Sequence, residues 1–307
     1  MCKRIEALLP KQILKKDRLS NFTTFKVGGR AKIVCPRTEK ELVQTLKVLE
    51  KHKICYKVIG NGSNILACDK AHKTIFVCTK NVKSEFELDQ NFLTVGAGSL
   101  ISEVVLFCKN HNLSGLEKLF GIPATIGGMI AMNAGAFQTN IFDHLVNIKA
   151  FYNGEIVMIY PESVKKKNHF SELINSGVTI LSASFELETV CEEEIAKTIR
   201  NVFDKRFENQ PKGNSAGCVF ANPKGDSAGR LIDLAGLKNT KIGNAIVSEK
   251  HANFIVSENA KSKDILSLIG LVQKTVFEKF GIWLEPEIEI IGEKHENYGR
   301  LSHPQQI

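Results

Sequence analysis

A chain of 307 residues with 43% apolar and 24% charged residues can bury two or three hydrophobic cores, which excludes a disordered or fibrous protein. Lysine and arginine number 41 against 33 aspartate and glutamate, and the resulting net charge of +8 points to an anionic partner: nucleic acid, a membrane surface or a phosphorylated small molecule. The eight cysteines, at 2, 35, 55, 68, 78, 108, 191 and 218, form no C-x-x-C pair and no close cluster with histidine, so neither a zinc site nor a disulfide framework fits their spacing. Met1 to Asn21 mixes basic residues with short apolar pieces and shows no export signature, so free thiols in a reducing cytoplasm are expected.

Ala31 to Cys35 reads as a short strand ending at Pro36. Thr38-Glu39-Lys40-Glu41 predicts a capping box for a helix to about Lys53 with Leu42, Leu46 and Leu49 inward. Cys55 to Ile59 is a second strand and runs into a tight turn, Gly60-Asn61-Gly62-Ser63-Asn64. Thr74 to Cys78 and Phe92 to Val95 follow as strands. After Gly96-Ala97-Gly98-Ser99, Ser102 is expected to cap a helix with Val104, Val105 and Cys108 on its apolar face. Leu119 to Phe142 carries no charge over 24 residues, but Pro123, four glycines and Asn133 favour a buried glycine-rich turn and helix over a membrane span.

Short strands recur at Ile148 to Tyr152, Ile156 to Tyr160 and Val178 to Glu188, with the basic run Lys165-Lys166-Lys167 between them. A helix then opens on Glu192, Glu193 and Glu194 and closes on Lys205 and Arg206, as the helix dipole prefers, with Ile195, Ile199, Val202 and Phe203 as its face. Glu208 to His251 reads as loop-rich. Ser262 to Phe280 predicts a long helix with Gly281 as its stop, Trp283 to Ile291 a last strand, and the residues from Lys294 a frayed tail.

Loops of glycine, serine and asparagine turn several backbone N–H groups toward one point, which suits phosphate oxygens. Gly60-Asn61-Gly62-Ser63-Asn64 qualifies, as does Gly127-Gly128 with Asn133-Ala134-Gly135-Ala136; a hairpin or close-packed turn is the alternative for each. Neither matches G-x-G-x-x-G with a following acidic residue, nor G-x-x-x-x-G-K-[ST], so a Rossmann or P-loop enzyme is disfavoured. No basic stripe with interleaved aromatics speaks for nucleic acid.

Eight segments in order resemble the UDP-N-acetylenolpyruvoylglucosamine reductases: Thr23-Thr24-Phe25-Lys26-Val27-Gly28-Gly29-Arg30-Ala31, Gly60 to Asn64, Gly121-Ile122-Pro123-Ala124-Thr125-Ile126-Gly127-Gly128, Asn133 to Ala136, Ser215 to Pro223, Ala228-Gly229-Arg230-Leu231-Ile232, His251-Ala252-Asn253-Phe254 and Leu284-Glu285-Pro286-Glu287. The likeness spans about Leu19 to Gly292, and no tyrosine-bearing insertion lies between Phe185 and Arg206, as in the shorter class of that family. It implies an α+β protein: a two-part FAD-binding fold of the vanillyl-alcohol oxidase type, residues 1–85 and 86–190, a C-terminal α+β substrate-binding domain, 191–293, and a flexible tail, 294–307. It also implies a cytoplasmic, monomeric enzyme of peptidoglycan precursor synthesis, inserted in no membrane and bound to no nucleic acid. In that chemistry NADPH reduces FAD, and a hydride then passes to the enolpyruvyl group of a UDP-sugar.

By motif position the resemblance assigns the cofactor to Gly60, Asn61, Gly62, Ser63, Asn64, Gly121, Pro123, Thr125, Gly127, Gly128, Asn133, Gly135 and Ala136. Hydride addition to an enol ether conjugated to a carboxylate builds an enolate, so a proton donor and cationic or donor groups are needed around it. Cys218 stands where the family usually has the donor serine; composition alone would make it a buried cysteine. Its ordinary thiol pKa of about 8.5 suits donation at neutral pH and brings susceptibility to oxidation and alkylation. Glu287 matches the catalytic glutamate, although the period-2 run Leu284 to Ile290 would also place it on a solvated face. Anchoring on Phe170 puts Lys166 at the position of the family's arginine, where it keeps the charge and loses the bidentate fork; a solvated lysine run is the other reading. Arg206 and Asn222 are assigned to the substrate, Arg206 near its diphosphate, and His251 to a structural hydrogen bond. The alternatives are an oxygen-using flavin oxidase on the same fold and a flavin or nucleotide-binding regulator without turnover, the latter prompted by Lys166 and Cys218.

Overall fold

The computed structural model describes residue 6 and residues 8–10, 13–167, 169–174 and 176–292. Cys2 and the tail predicted from Lys294 lie outside these residues. The chain packs as two units, Met1–Lys16 with Lys32–Asn61 and Thr74–Arg206, and Asp17–Ala31 with Gly62–Lys73 and Phe207–Ile307.

The first unit holds two cores. Strands Arg30–Val34 and Tyr56–Ile59 both pair in parallel with Ile75–Cys78, and the helix Glu39–Lys51 buries Leu42, Leu46 and Leu49. Each fully buried leucine contributes about 1.5–3 kcal/mol. Thr38 Oγ accepts the Glu41 N–H at 3.1 Å, but the Glu41 carboxylate takes the Arg37 N–H at 2.7 Å, so only half of the predicted box forms. The other core lies under a five-stranded antiparallel sheet in the order Glu155–Ile159, Leu145–Tyr152, Thr179–Glu186, Phe92–Gly96 and Glu87–Asp89. It is filled by residues such as Leu93, Val104, Ile126, Met129, Ile148 and Phe185.

The helix after Ser99 begins at Ile101, not at a Ser102 cap, because the Ala124 carbonyl holds the Ile101 N–H at 3.1 Å and the Glu103 carboxylate takes the Leu100 N–H at 3.1 Å. On the helix Glu192–Asn209, Ile195, Ile199 and Val202 are buried but Phe203 is 54% exposed, since it falls one residue beyond a narrow stripe. The uncharged stretch contains the short helix Ile126–Met132, and among the described residues no helix is long and apolar enough to cross a membrane.

The second unit sets the helix Ser262–Phe280, which stops at Gly281 as predicted, against a three-stranded sheet of Lys241–Ile242, Ala245–Val247 and Ile255–Ser257. Its core combines Leu231, Ile232, Ile265, Ile269 and Leu284 with Phe25, Val27, Leu66 and Cys68, which the contiguous reading assigns to the first FAD-binding segment. The cause is a long-range pairing: Ile65–Ala67 runs parallel to Glu289–Ile291. Only those last three residues of the predicted Trp283 to Ile291 strand pair in this way, because Pro286 has no N–H to continue a ladder. A helix at Ala228–Leu234 escapes the loop-rich reading; its seven residues are too few to show a period, and Ser227 Oγ caps it through the Arg230 N–H at 3.2 Å.

Asp69 ties this unit together. Its carboxylate accepts both the backbone N–H and the hydroxyl of Ser262, at 2.7 and 3.0 Å, at the start of the long helix. Asp69→Ala is expected to lower unfolding free energy by about 1 kcal/mol, as loss of an N-terminal cap does; urea denaturation measures it, and an unchanged midpoint would remove the cap from the account.

Candidate active site

In the first unit several of the predicted cofactor residues meet. Asn61 Nδ2 donates to the Pro123 carbonyl at 2.7 Å, and Gly60 lies so close to Thr125 Oγ that an added Cβ would collide with it. This close approach explains the glycine. The N–H groups of Ile126 and Gly127 are taken by the carbonyls of Ser99 and Ala97, both at 2.9 Å, and that of Gly128 by Thr125 Oγ at 3.3 Å. Gly127 and Gly128 thus serve packing, against the expectation that their amides face phosphate. The N–H of Asn61 has no acceptor among the described residues and remains available to an anion. Asn133 takes a left-handed turn (φ +45°) at the end of the helix Ile126–Met132 and gives its Nδ2 to the Lys167 carbonyl at 2.9 Å. Gly135–Ala136 pairs with Thr139–Asn140 in a small hairpin.

Three side chains here bury polar atoms without a partner: Ser99 Oγ, Asn133 Oδ1, and Arg206 Nε and Nη2. Buried groups of this kind are costly unless a ligand completes them. Arg206 lies at the end of the helix stripe, against Gly121 and 5.4 Å from the Phe137 ring centroid. Burial pulls its guanidinium below its ordinary pKa. Ser99 is a site candidate absent from the motif reading, although it closes the glycine-rich run from Gly96. Lys166 is exposed on the hairpin Lys166–Lys167 with Phe170–Ser171; its ammonium donates to the Pro161 carbonyl at 2.6 Å and lies 5.0 Å from the Phe142 ring centroid.

In the second unit, Cys218 and Glu287 come together. Gly217 has φ +76°, a turn that suits glycine, and directs the chain into a short extended run. Cys218 bridges to Phe254 on one side and Phe220 to Pro286 on the other. The Val219 N–H donates to the Asn253 carbonyl and the Val219 carbonyl accepts the Glu287 N–H, each at 2.8 Å. The buried Asn253 side chain completes the clamp: its Oδ1 accepts the Phe220 N–H at 2.9 Å and its Nδ2 donates to the Phe220 carbonyl at 2.8 Å. Asn253 is thus a positioning residue, visible in the sequence only as part of the His251 to Phe254 motif.

Burial, reinforced by the Glu287 charge, pushes the Cys218 thiol up to about 12. The thiol therefore holds its proton throughout the neutral range, and the expected susceptibility to alkylation gives way to protection. Asn64, read as a cofactor residue, donates its side-chain amide to the Glu287 carbonyl at 3.2 Å and accepts the Glu289 N–H on its own carbonyl at 2.9 Å. Asn222 is exposed and uses Oδ1 to accept the Ala228 N–H at 2.9 Å, which leaves its amide to donate. His251 differs from the structural hydrogen-bond donor expected of it: Nδ1 is buried without a partner, and the ring packs edge-on to Phe254.

Two outcomes follow from these environments. Arg206→Met is expected to weaken binding of a nucleoside diphosphate by about 10- to 100-fold, the worth of a lost charged hydrogen bond, while raising the stability of the ligand-free protein by about 1 kcal/mol. Calorimetric titration and urea melts read the two, and equal affinity would disconnect Arg206 from the anion. Cys218 is expected to react with iodoacetamide at pH 8 about a thousandfold more slowly than an ordinary cysteine, because so little thiolate forms; labelling of the native protein at the rate of a free thiol would contradict the burial.

Residues 31–159 match the family model of an FAD binding domain, and residues 209–291 that of the C-terminal domain of UDP-N-acetylenolpyruvoylglucosamine reductase. The UDP-N-acetylenolpyruvoylglucosamine reductase of Fusobacterium nucleatum is 38% identical over 284 residues, 91% of this chain and 99% of that protein. That of Caldicellulosiruptor bescii is 40% identical over 288 residues, 92% and 91% of the two chains. The crystal structure of the UDP-N-acetylenolpyruvylglucosamine reductase of Thermus caldophilus, 34% identical, aligns with a TM-score of 0.78 over 91% of this chain and 99% of its own. The α+β fold, the FAD-binding domain and the C-terminal domain agree with the motif order, and the chain belongs to the UDP-N-acetylenolpyruvoylglucosamine reductase family.

Proposed function

We propose that the chain is an FAD-containing oxidoreductase that reduces the enolpyruvyl group of UDP-N-acetylglucosamine enolpyruvate to the lactyl ether of UDP-N-acetylmuramate with NADPH, a step of peptidoglycan precursor synthesis. The observation that carries the reading furthest is the thiol of Cys218, kept protonated by burial beside Glu287 on a chain segment clamped from both sides. The residues of the first unit fit a flavin dinucleotide: the Asn61 N–H left over beside a glycine packed against Thr125, and the unpartnered Ser99 Oγ and Asn133 Oδ1. Held there, FAD would supply the hydride chemistry that links NADPH to the β-carbon of the enolpyruvyl group.

The remaining work falls to this chain's own residues. Cys218 gives its thiol proton to the α-carbon, where an enolate far more basic than a thiolate accumulates, so the transfer runs downhill even from a thiol of pKa about 12. Glu287 orients that thiol and keeps it protonated. Arg206 takes the substrate diphosphate, and the Asn222 amide donates to the substrate. Lys166 supplies the charge near the substrate carboxylate; one of its three N–H donors holds the Pro161 carbonyl and the others remain for the ligand. The reading includes a cytoplasmic location, a monomer, and the three consecutive segments 1–85, 86–190 and 191–293 as its working parts.

The test is anaerobic and follows flavin colour. NADPH is expected to bleach the flavin and the enolpyruvyl nucleotide to restore it. Cys218→Ala should bleach at the wild-type rate but recover at least about 100-fold more slowly, the usual worth of a general acid, whereas Cys218→Ser should recover. Wild-type recovery should not fall between pH 6 and 9, because a raised thiol pKa leaves the protonated donor intact over that window; an ordinary thiol would lose half its protons near pH 8.5. Full recovery in Cys218→Ala would remove the thiol from the donor role. Recovery with oxygen faster than with the nucleotide would favour an oxidase, and tight nucleotide binding without recovery would favour a regulator.

A further inference from the structure

Two cysteines outside the proposed chemistry lie beside the first residue of the glycine loop. The parallel strands Arg30–Val34 and Ile75–Cys78 pair Val34 with Val77, and the next residues along are Cys35 and Cys78. Neither is in a disulfide, and both are buried, at 5% and 4% exposure. Their side chains are hydrogen-bonded to each other, and the Cys78 thiol reaches the Gly60 carbonyl at 3.8 Å. Adjacent strands lie about 4.8 Å apart, within the Cα separation of about 4.4–6.8 Å that a disulfide spans.

The Cys78 thiol also differs from two others. Cys108 and Cys218 are pushed up to about 12, chiefly by burial. Cys78 is drawn down to about 7 by its hydrogen bond with Cys35, with the Lys80 backbone and the charges of Lys80 and Lys15 adding to the effect. The hydrogen bond with Cys35 thus favours the Cys78 thiolate, the form that attacks oxidants, against the opposing effect of burial.

We propose that Cys35 and Cys78 form an oxidisable dithiol site that reacts with hydrogen peroxide or a small alkyl hydroperoxide and closes to a reversible disulfide. The Cys78 sulfur attacks the terminal peroxide oxygen, the O–O bond breaks, and Cys78 becomes a sulfenic acid as water or alcohol leaves. The Cys35 sulfur then attacks the Cys78 sulfur; the S–O bond breaks, and hydroxide leaves with the Cys35 proton as water. Two thiols lose two electrons and the peroxide gains them, so no further reductant or oxidant is required. Closure removes the thiol hydrogen that Cys78 directs at the Gly60 carbonyl.

The full-length holoenzyme is treated with stoichiometric hydrogen peroxide at pH 7, denatured, alkylated with iodoacetamide and analysed by peptide mass spectrometry. The expected result is one cross-linked species joining the Cys35 and Cys78 peptides, lighter by two hydrogens than the reduced pair, with both sites lost to alkylation and recovered after dithiothreitol. Cys218 stays alkylatable throughout. In Cys35→Ser the cross-link is absent, and Cys78 is trapped by dimedone as the sulfenic acid. Undiminished alkylation of both cysteines in treated wild type, or a cross-link between other cysteines, overturns the proposal. Because the wild-type mapping needs no variant, a poorly folded Cys35→Ser protein leaves the test intact.

Discussion

The organisation of the second unit depends on a short stretch of extended chain, Cys218 to Phe220, held by backbone bonds on both sides. Neither neighbour forms a regular strand against it. The Asn253 side chain supplies the two hydrogen bonds that a ladder would have supplied, and the Val219 carbonyl accepts the Glu287 N–H. Cys218 and Glu287 are thereby linked through one residue, Val219, which is fully buried. Held in that way, the thiol is desolvated beside a negative charge, and desolvation is what keeps its proton in place. At such a position the surroundings, rather than the intrinsic acidity, set the protonation state of a thiol.

The first unit shows the complementary design, in which groups are left unsatisfied. Buried polar atoms are ordinarily hydrogen-bonded, yet Ser99 Oγ, Asn133 Oδ1 and two nitrogens of Arg206 are not. A fold optimised only for stability would pair them or replace them with apolar groups. Each is a cost to the ligand-free chain that a hydrogen-bonding ligand would offset. The amides of Gly127 and Gly128 already have acceptors, whereas the Asn61 N–H has none among the described residues.

Elements with strong local signals were legible from the chain alone. The helix Ser262–Phe280 has an apolar face repeated over five turns and a glycine stop, and Glu39–Lys51 has a threonine cap and a leucine stripe. Elements depending on distant partners were not. Ile101 starts a helix because Ala124 holds its N–H, Phe203 is exposed because its helix buries a narrow stripe, and Ala228–Leu234 is too short for periodicity to register. Among site residues, the motif positions of Cys218 and Glu287 identified the pair, while Asn253 gave no sign of being its clamp, since that role is a geometry across more than thirty positions.

The amino-acid sequence by itself determined the family, the α+β class, the glycine loop and the acid–base candidates, because ordered motifs and helical periods are local and survive without a partner. Only the tertiary structure decided which glycine amides have acceptors, that the Cys218 thiol keeps its proton, and that two Arg206 nitrogens are buried without a hydrogen-bond partner among the described residues. It also decided that Phe25, Val27 and Leu66 belong to the core of the C-terminal half. Protonation and hydrogen-bond satisfaction depend on the dielectric and on neighbours brought from far along the chain, and neither is written in any short stretch of residues.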